Sequence, residues 1–177
     1  MQEQLVRKAK QGDREAFSQL YAAISKKMYS TAYYLLGRKE DAEDLVMDTV
    51  LDAFQSIVKL RNEEAFEDWI MRILINKGRK IRKKYIQEEL PLENELISNP
   101  EVENDEHIIL HSLLESLNQV DRMILILGIV DGYTSNEIGD ILQLNPNTVR
   151  SRQRRSLEKI REKLTGKGVS NGRKRSD

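Results

Sequence analysis

The sequence lacks cysteine altogether, and it contains no long apolar run. Without cysteine among its 177 residues, the chain can form neither a disulfide framework nor a thiolate metal site. No apolar run approaches the roughly 20 residues that cross a bilayer, and the opening segment MQEQLVRKAK has no signal-peptide core. We therefore expect a soluble, cytoplasmic protein that does not itself insert into a membrane.

Proline and glycine are also scarce, with 3 and 9 residues, and apolar residues recur at a spacing of three and four along most of the chain. Strand-like alternation is absent, so the pattern predicts an all-α protein. Two helices joined by a short turn are expected within 134–164. The other expected helices lie near 2–11, 14–36, 40–57, 65–84, 107–118 and 119–130.

The formal net charge is zero, but the charges are unevenly distributed. Residues 1–84 carry 17 basic and 13 acidic side chains, 85–121 carry 10 acidic and no basic ones, and 122–177 carry 12 basic and 6 acidic ones. Two of the three prolines fall within 86–106, which reads as a flexible acidic linker. The predicted layout is two small helical domains, 1–85 and 107–165, with a disordered tail over 166–177.

The segment TSNEIGDILQLNPNTVRSRQRRSLEKI has the signature of a helix-turn-helix. Thr134 and Glu137 have the spacing of a capping box, which predicts a helix start. Asn145 is a good N-cap and Pro146 a favourable first helical residue, so a second helix is expected to begin there. In a helix-turn-helix this second helix enters the major groove of DNA.

Side chains of the second helix fall on two faces. Val149, Leu157, Ile160 and Leu164 are expected to face the domain, while arginines cluster on the opposite side. Arginine reads guanine bidentately and also binds phosphate, so this clustering favours DNA contact over a merely solvated basic face. The residues predicted to contact DNA are Asn147, Thr148, Arg150, Ser151, Arg154 and Arg155.

EIGDILQLNPNTVRSRQRRSLEKIREKL resembles region 4.2 of the extracytoplasmic-function (ECF) sigma factors, and LLESLNQVDRMILILGIVDGYT is similar to their region 4.1. In the N-terminal half, GRKEDAEDLVMDTVLDAF resembles region 2.2, and FEDWIMRILINKGRKIRKK resembles regions 2.3 and 2.4. The resemblance covers about 1–165 and implies a region 2 domain and a region 4 domain of a sigma factor. Such a protein binds core RNA polymerase, at the clamp of its largest subunit and the flap of its second largest, and recognises promoter DNA. It also implies a cognate anti-sigma factor, in some cases membrane-bound.

The resemblance further assigns roles within the N-terminal half. Region 2.2 docks on the polymerase, which here points to an acidic ridge with Asp41, Asp44, Leu45, Asp48 and Thr49; such a ridge suits a basic partner helix. Regions 2.3 and 2.4 melt and read the minus-10 element. The positions that correspond are Arg61, Asn62, Asn76, Lys77, Arg79, Lys80 and Lys83. One departure is Lys80, since the family usually has Asp four residues after the asparagine that Asn76 matches. Trp69 has the spacing of a packed core residue rather than of a base-stacking platform.

Other functions receive less support. His107 and His111, with Glu103, could form a metal site, but no other ligand converges on them, and neither a Gly-rich phosphate loop nor a nucleophile elbow occurs. We therefore expect no catalytic residue, no metal and no cofactor. The stronger alternative is a stand-alone helix-turn-helix regulator whose N-terminal half is a sensor or dimerisation domain. Composition leaves open whether the linker mimics nucleic acid inside the polymerase or is only a solvated spacer.

Overall fold

The computed structural model describes residues 2–87 and 105–165, and this part of the chain is helical, as predicted, with no strand. None of its helices combines the length and apolarity of a membrane span. Nearly all of the predicted linker 86–106, and the predicted tail 166–177, lie outside the described residues. Two short 3-10 turns, Ile57–Lys59 and Glu63–Ala65, separate the third helix from the fourth. The helices are α1 (Gln2–Lys10), α2 (Arg14–Leu36), α3 (Lys39–Ser56), α4 (Phe66–Gln87), α5 (Asp105–Glu115), α6 (Gln119–Leu125, continued by a π-helical turn, Ile126–Val130), α7 (Ser135–Leu142) and α8 (Pro146–Leu164).

Helices α1 to α4 pack around a core of apolar side chains. The Phe17 ring lies edge-on to the rings of Phe54 and Phe66, at centroid distances of 5.1 and 6.3 Å. Trp69 is partly buried against this core beside Phe66, in agreement with its predicted packing role. Gly78 allows α4 to approach α2 closely, because a Cβ there would lie only 2.5 Å from a methyl carbon of Leu35.

Helices α5 to α8 form a second, smaller unit, in which the side chain of Arg122 on α6 is buried against the end of α5. This guanidinium donates to the Leu114 carbonyl at 2.9 Å and to Glu115 Oε1 at 2.8 Å. Burial and the neighbouring Arg82 lower the pKa of Arg122 to about 10, so it remains charged at neutral pH. The paired charge ties the end of α5 to α6.

The two units pack directly on each other. Thr31 Oγ1 on α2 donates to Asp131 Oδ2 at 2.5 Å, Tyr133 Oη donates to Glu67 Oε1 at 2.7 Å, and Arg82 of α4 reaches Glu115 at 2.9 Å. Apolar side chains of α6, the π-helical turn and α7 belong to the same continuous core as α2 and α4. The described structure is therefore a closed arrangement of the two units.

The buried face of α8 differs from the predicted one. Leu157 and Leu164 are 41% and 63% exposed, whereas Ser156 is buried beside Val149 on the inward face. Helix α8 comes close to the π-helical turn at Gly128, where a Cβ would lie 2.8 Å from Gln153 Nε2. Val149 and Ser156 occupy the inward face, and the bulky leucines lie to one side of it. The prediction that Leu157 and Leu164 face the domain was wrong.

Candidate nucleic-acid interface

Two local caps position the helix-turn-helix. The Thr134 amide donates to Glu137 Oε2 at 2.7 Å and Thr134 Oγ1 accepts from the Glu137 amide at 3.4 Å, which confirms the capping box. Hydrogen bonds from the Thr134 side chain and backbone lower the pKa of Glu137. Asn145 Oδ1 accepts from the Asn147 amide at 2.9 Å, and Pro146 begins α8. The first turn of α8 is thereby fixed.

The six residues predicted to contact DNA lie along the first three turns of α8. Arg150 Nη1 donates to Asn147 Oδ1 at 2.5 Å, and Ser151 Oγ donates to the Thr148 carbonyl at 3.0 Å. Ser151 is partly buried and the other five are exposed. Two arginines follow one turn later on the same surface. Arg154 has 76% of its side chain exposed, and Arg155 is exposed while its Nε donates to the Ser151 carbonyl at 3.3 Å.

Arg152, in the middle of this cluster, points elsewhere. Its Nε donates to Asp121 Oδ1 at 2.7 Å, and its Nη2 donates to Asn118 Oδ1 at 3.3 Å. Arg152 was not among the residues predicted from the sequence to have a role. Its position three residues after the buried Val149 was the available signal, since that spacing places it on the inward edge of the helix.

A second group of basic side chains lies along α4. Asn76, Arg79, Lys80 and Lys83 line an open cleft of about 410 Å³ together with Gln119 from α6. Lys77 does not join them, because its Nζ is bound to Asp52 Oδ2 at 2.7 Å and to the Asp48 carbonyl at 3.0 Å on α3. The structure thus brings together four of the five α4 residues predicted for the minus-10 element.

The loop before α4 is held in place rather than free. Arg61 and Asn62 are exposed, and Asn62 Oδ1 accepts from the Glu64 amide at 3.1 Å. Lys10 of α1 donates to the Leu60 carbonyl at 2.9 Å and to Glu63 at 3.0 Å, and this hydrogen bond lowers the pKa of Glu63. Lys10 had no local sequence signal, because its partners lie about fifty residues away.

The acidic ridge of α3 is divided by burial. Asp44 and Asp48 are exposed and Asp41 is partly exposed, but Leu45 and Thr49 are buried in the core. The Thr49 hydroxyl is used within the helix, where it donates to the Leu45 carbonyl at 2.7 Å. In this conformation Leu45 and Thr49 can support the ridge only from beneath.

The apolar side chains that are exposed on the outer surface of α3 are not the ones predicted to dock on the polymerase. Met47 and Leu51 are more than half exposed. Leu51 also borders an apolar groove of about 280 Å³ between α2 and α3. Charged and apolar side chains therefore alternate on this surface of the helix.

A metal site is not seen among the described residues, which contain no group of three or more His, Asp or Glu side chains suited to an ion. Glu103 and the side chains of His107 and His111 lie outside the described part of the chain. The basic side chains on α8 and α4 are suited to binding polyanions, and the charged and apolar surface of α3 is suited to binding a protein partner.

Two known protein families match the chain, one in its N-terminal half and one in its C-terminal half. The family described as Sigma-70 region 2 matches residues 20–84, and Sigma-70, region 4 matches residues 107–160. The chain is 26% identical over 176 residues to the ECF RNA polymerase sigma factor SigW of Bacillus subtilis, covering 90% of this chain and 94% of that protein.

Two solved structures share the fold. CnrH, solved in complex with the cytosolic domain of CnrY, is 23% identical with a TM-score of 0.76, over 93% of this chain and 97% of that one. The sigma factor RpoE, solved in complex with the anti-sigma factor NepR from Bartonella quintana, is 19% identical with a TM-score of 0.69. That match covers 84% of this chain and 96% of RpoE.

Proposed function

The chain belongs to the extracytoplasmic-function family of bacterial RNA polymerase sigma factors, and on this basis we propose that it directs core RNA polymerase to promoters by recognising a minus-10 and a minus-35 element. The observation that carries the proposal is the exposed arginine surface on α8, whose N-terminus is capped by Asn145, together with a separate basic surface on α4. A stand-alone regulator would need only the first of these. The proposed division of labour is a region 2 domain over 1–85 and a region 4 domain over 107–165.

Helix α8 would read the minus-35 element. Its N-terminal turns carry exposed Asn147, Arg150, Arg154 and Arg155, and asparagine and arginine are the side chains that pair bidentately with adenine and guanine. The opposite face of α8 is packed on α6 and the π-helical turn, and the N-terminal turns present this exposed surface to a groove.

The minus-10 element would contact α4 and the loop before it. Arg79, Lys80 and Lys83 supply phosphate ligands along one side of the helix, and exposed Asn62 offers an amide to an unstacked base. Lys80 replaces the acidic residue usual in the family, so phosphate contact is favoured over base reading at that position.

The closed packing of the two units constrains this mechanism. Elements named minus-10 and minus-35 are about 25 base pairs apart, which is about 85 Å of B-form DNA at ~3.4 Å per step. A compact chain of this length has a radius of gyration near 16 Å and a diameter of about 40 Å. Both elements can therefore be bound together only after the two units separate.

Polymerase is the partner that would stabilise the open form, with the acidic ridge of α3 on the clamp of the largest subunit and region 4 on the flap of the second largest. An anti-sigma factor would stabilise the closed form. Two solved relatives support such a partner, since CnrH was solved with the cytosolic domain of CnrY and RpoE with the anti-sigma factor NepR.

The proposal is tested by measuring complex formation separately from DNA binding. We expect the purified protein to bind core polymerase in a 1:1 complex and to shift promoter DNA only as part of that complex. Sequence-specific shifts by the protein alone, as a dimer on paired half-sites, would instead support a stand-alone regulator.

A further inference from the structure

We propose that Arg152 is a positioning residue, whose pair with Asp121 sets the rotation of α8 so that the neighbouring arginines face DNA, and that Arg152 itself does not contact DNA. This inference rests on the proposed function, because it assumes that α8 reads the minus-35 element. It separates one arginine of the cluster from the others by role.

The contacts of Arg152 form a closed set between α8 and the start of α6. Asp121 Oδ1 accepts from Arg152 Nε at 2.7 Å, and Asp121 Oδ2 accepts from Asn118 Nδ2 at 2.6 Å. Asn118 Oδ1 accepts from the Asp121 amide at 3.0 Å, which caps α6, and from Arg152 Nη2 at 3.3 Å. Both carboxylate oxygens of Asp121 and the amide of Asn118 are thus committed to this junction.

Burial distinguishes this pair from the other ion pair of α8. The side chains of Arg152 and Asp121 are 30% and 12% exposed, whereas those of Arg154 and Glu158 are 76% and 63% exposed and their atoms are 3.9 Å apart. An exposed pair at that distance holds its side chains weakly. Withdrawing Arg152 toward DNA would leave the nearly buried Asp121 carboxylate without its cation, which is strongly unfavourable.

Rotation of α8 is the quantity that such a junction can control. With its side chains a helix has a radius of about 6 Å, so a turn of ~20° about the axis moves a surface group by about 2 Å. Bidentate contacts tolerate errors of about 0.5 Å or 10–20°. Loss of the Arg152–Asp121 pair would therefore weaken base reading by Arg150 and Arg155 while leaving the α8 fold intact.

The test uses holoenzyme formed by core polymerase and the full chain, on a promoter that it transcribes and on the same promoter with a scrambled minus-35 element. The readout is the ratio of transcription between the two templates. Asp121→Asn, Arg152→Gln, the double variant and the charge swap Asp121→Arg with Arg152→Asp are compared with wild type. Arg161→Gln, which removes an exposed arginine of the same helix outside the proposed surface, is the matched control.

We expect each single variant to lower the ratio about tenfold, the double variant to lower it no further, and Arg161→Gln to leave it unchanged. Polymerase affinity and melting temperature serve as folding controls, and partial recovery in the charge swap would support the pair directly. Loss in Arg152→Gln with none in Asp121→Asn would overturn the proposal, because it would mean that Arg152 contacts DNA. Unchanged ratios in both single variants would overturn it as well.

Salt dependence gives a readout that does not depend on the ratio. If Arg152 contacts no phosphate, the slope of log affinity against log salt stays unchanged in Arg152→Gln but falls by about one in a variant that removes a phosphate ligand. A fall of about one in Arg152→Gln contradicts the proposal. Failure of the proposed function is distinguishable, since wild-type holoenzyme would then show no minus-35 preference at all.

Discussion

Closure of the two units is expected to depend on pH through Asp131. This residue lies at the junction, 9% exposed, and accepts a hydrogen bond from Thr31 of α2. Burial raises its pKa to about 6, against the opposing effects of hydrogen bonds from Thr31 and Ser30 and of the charge of Lys27, while Glu67 raises it further. When the units separate, Asp131 meets water and its pKa returns toward the ordinary value.

The sign and size of the effect follow from that difference. Because the pKa is higher in the closed form, closing takes up a proton and is favoured as the pH falls through about 6. The gap between about 6 and the ordinary 3.8 sets an upper limit of ~3 kcal/mol on the penalty that the closed form bears at neutral pH. Between pH 7 and pH 5 the closed form should gain about 1 kcal/mol, which raises the ratio of closed to open molecules by up to roughly tenfold.

The assay is a distance measurement between the two units. Because the chain has no cysteine, single cysteines at exposed Gln55 of α3 and Lys163 of α8 can carry a donor and an acceptor dye without background labelling. In wild type the ratio of closed to open molecules should rise roughly tenfold between pH 7 and pH 5. In Asp131→Asn, which keeps an acceptor for Thr31 but cannot ionise, closure should be stronger at pH 7 and much less dependent on pH.

Because Asp68 also responds to pH, the Asp131→Asn variant is needed to separate the contributions of the two residues. Burial raises the pKa of Asp68, and Glu137 and Asp140 of α7 and Glu67 raise it further, so Asp68 also favours closing at lower pH. Only the part of the pH response that disappears in Asp131→Asn belongs to Asp131. An equal response in wild type and Asp131→Asn, or no response in either, would show that Asp131 does not control closure.

Further predictions concern the two proposed binding surfaces and the core. Replacing Arg150 and Arg155 by Ala should lower promoter-dependent transcription at least tenfold while core polymerase affinity stays nearly intact, since each bidentate contact is worth about 1–3 kcal/mol; equal loss of both would contradict the assignment. Reversing charge at exposed Asp44 and Asp48 should weaken core polymerase binding in a titration, mainly through a slower association rate, and unchanged kinetics would remove the acidic-ridge argument. Truncating the fully buried Ile138 to Ala should cost about 2–5 kcal/mol in the free energy of unfolding, measured by denaturant melting, whereas the same change at the exposed C-terminal leucine of α8 should cost under ~1 kcal/mol.

Local features of this fold were predictable from sequence because their causes are local. The start of α7 at Thr134 and of α8 at Asn145 depends on side chains within three residues of the cap, so both could be identified directly. The leucines at 157 and 164 were misplaced because the inward face of α8 carries Val149 and the buried Ser156, and a polar inward residue is not marked by apolar spacing.

Contacts between the two units could not be predicted. Thr31 and Asp131 are a hundred residues apart, and neither threonine nor aspartate by itself indicates a buried partner. In the candidate site, the family resemblance grouped five polar residues of α4, but Lys77 binds Asp52 on α3, a contact set by how the two helices pack. In the arginine cluster of α8, Arg152 is likewise set apart from the other arginines by its contact with Asp121, which the sequence alone does not reveal.

An in vitro transcription assay is the most direct test of whether the protein directs core polymerase to promoters. Purified protein would be added to bacterial core polymerase lacking any other sigma factor, on fragmented genomic DNA from its source, and transcript starts would be mapped with and without the protein. A sigma factor should give discrete new starts only when the protein is present, each preceded by a shared pair of elements near minus-10 and minus-35. No new starts, with specific DNA shifts by the protein alone, would contradict this function.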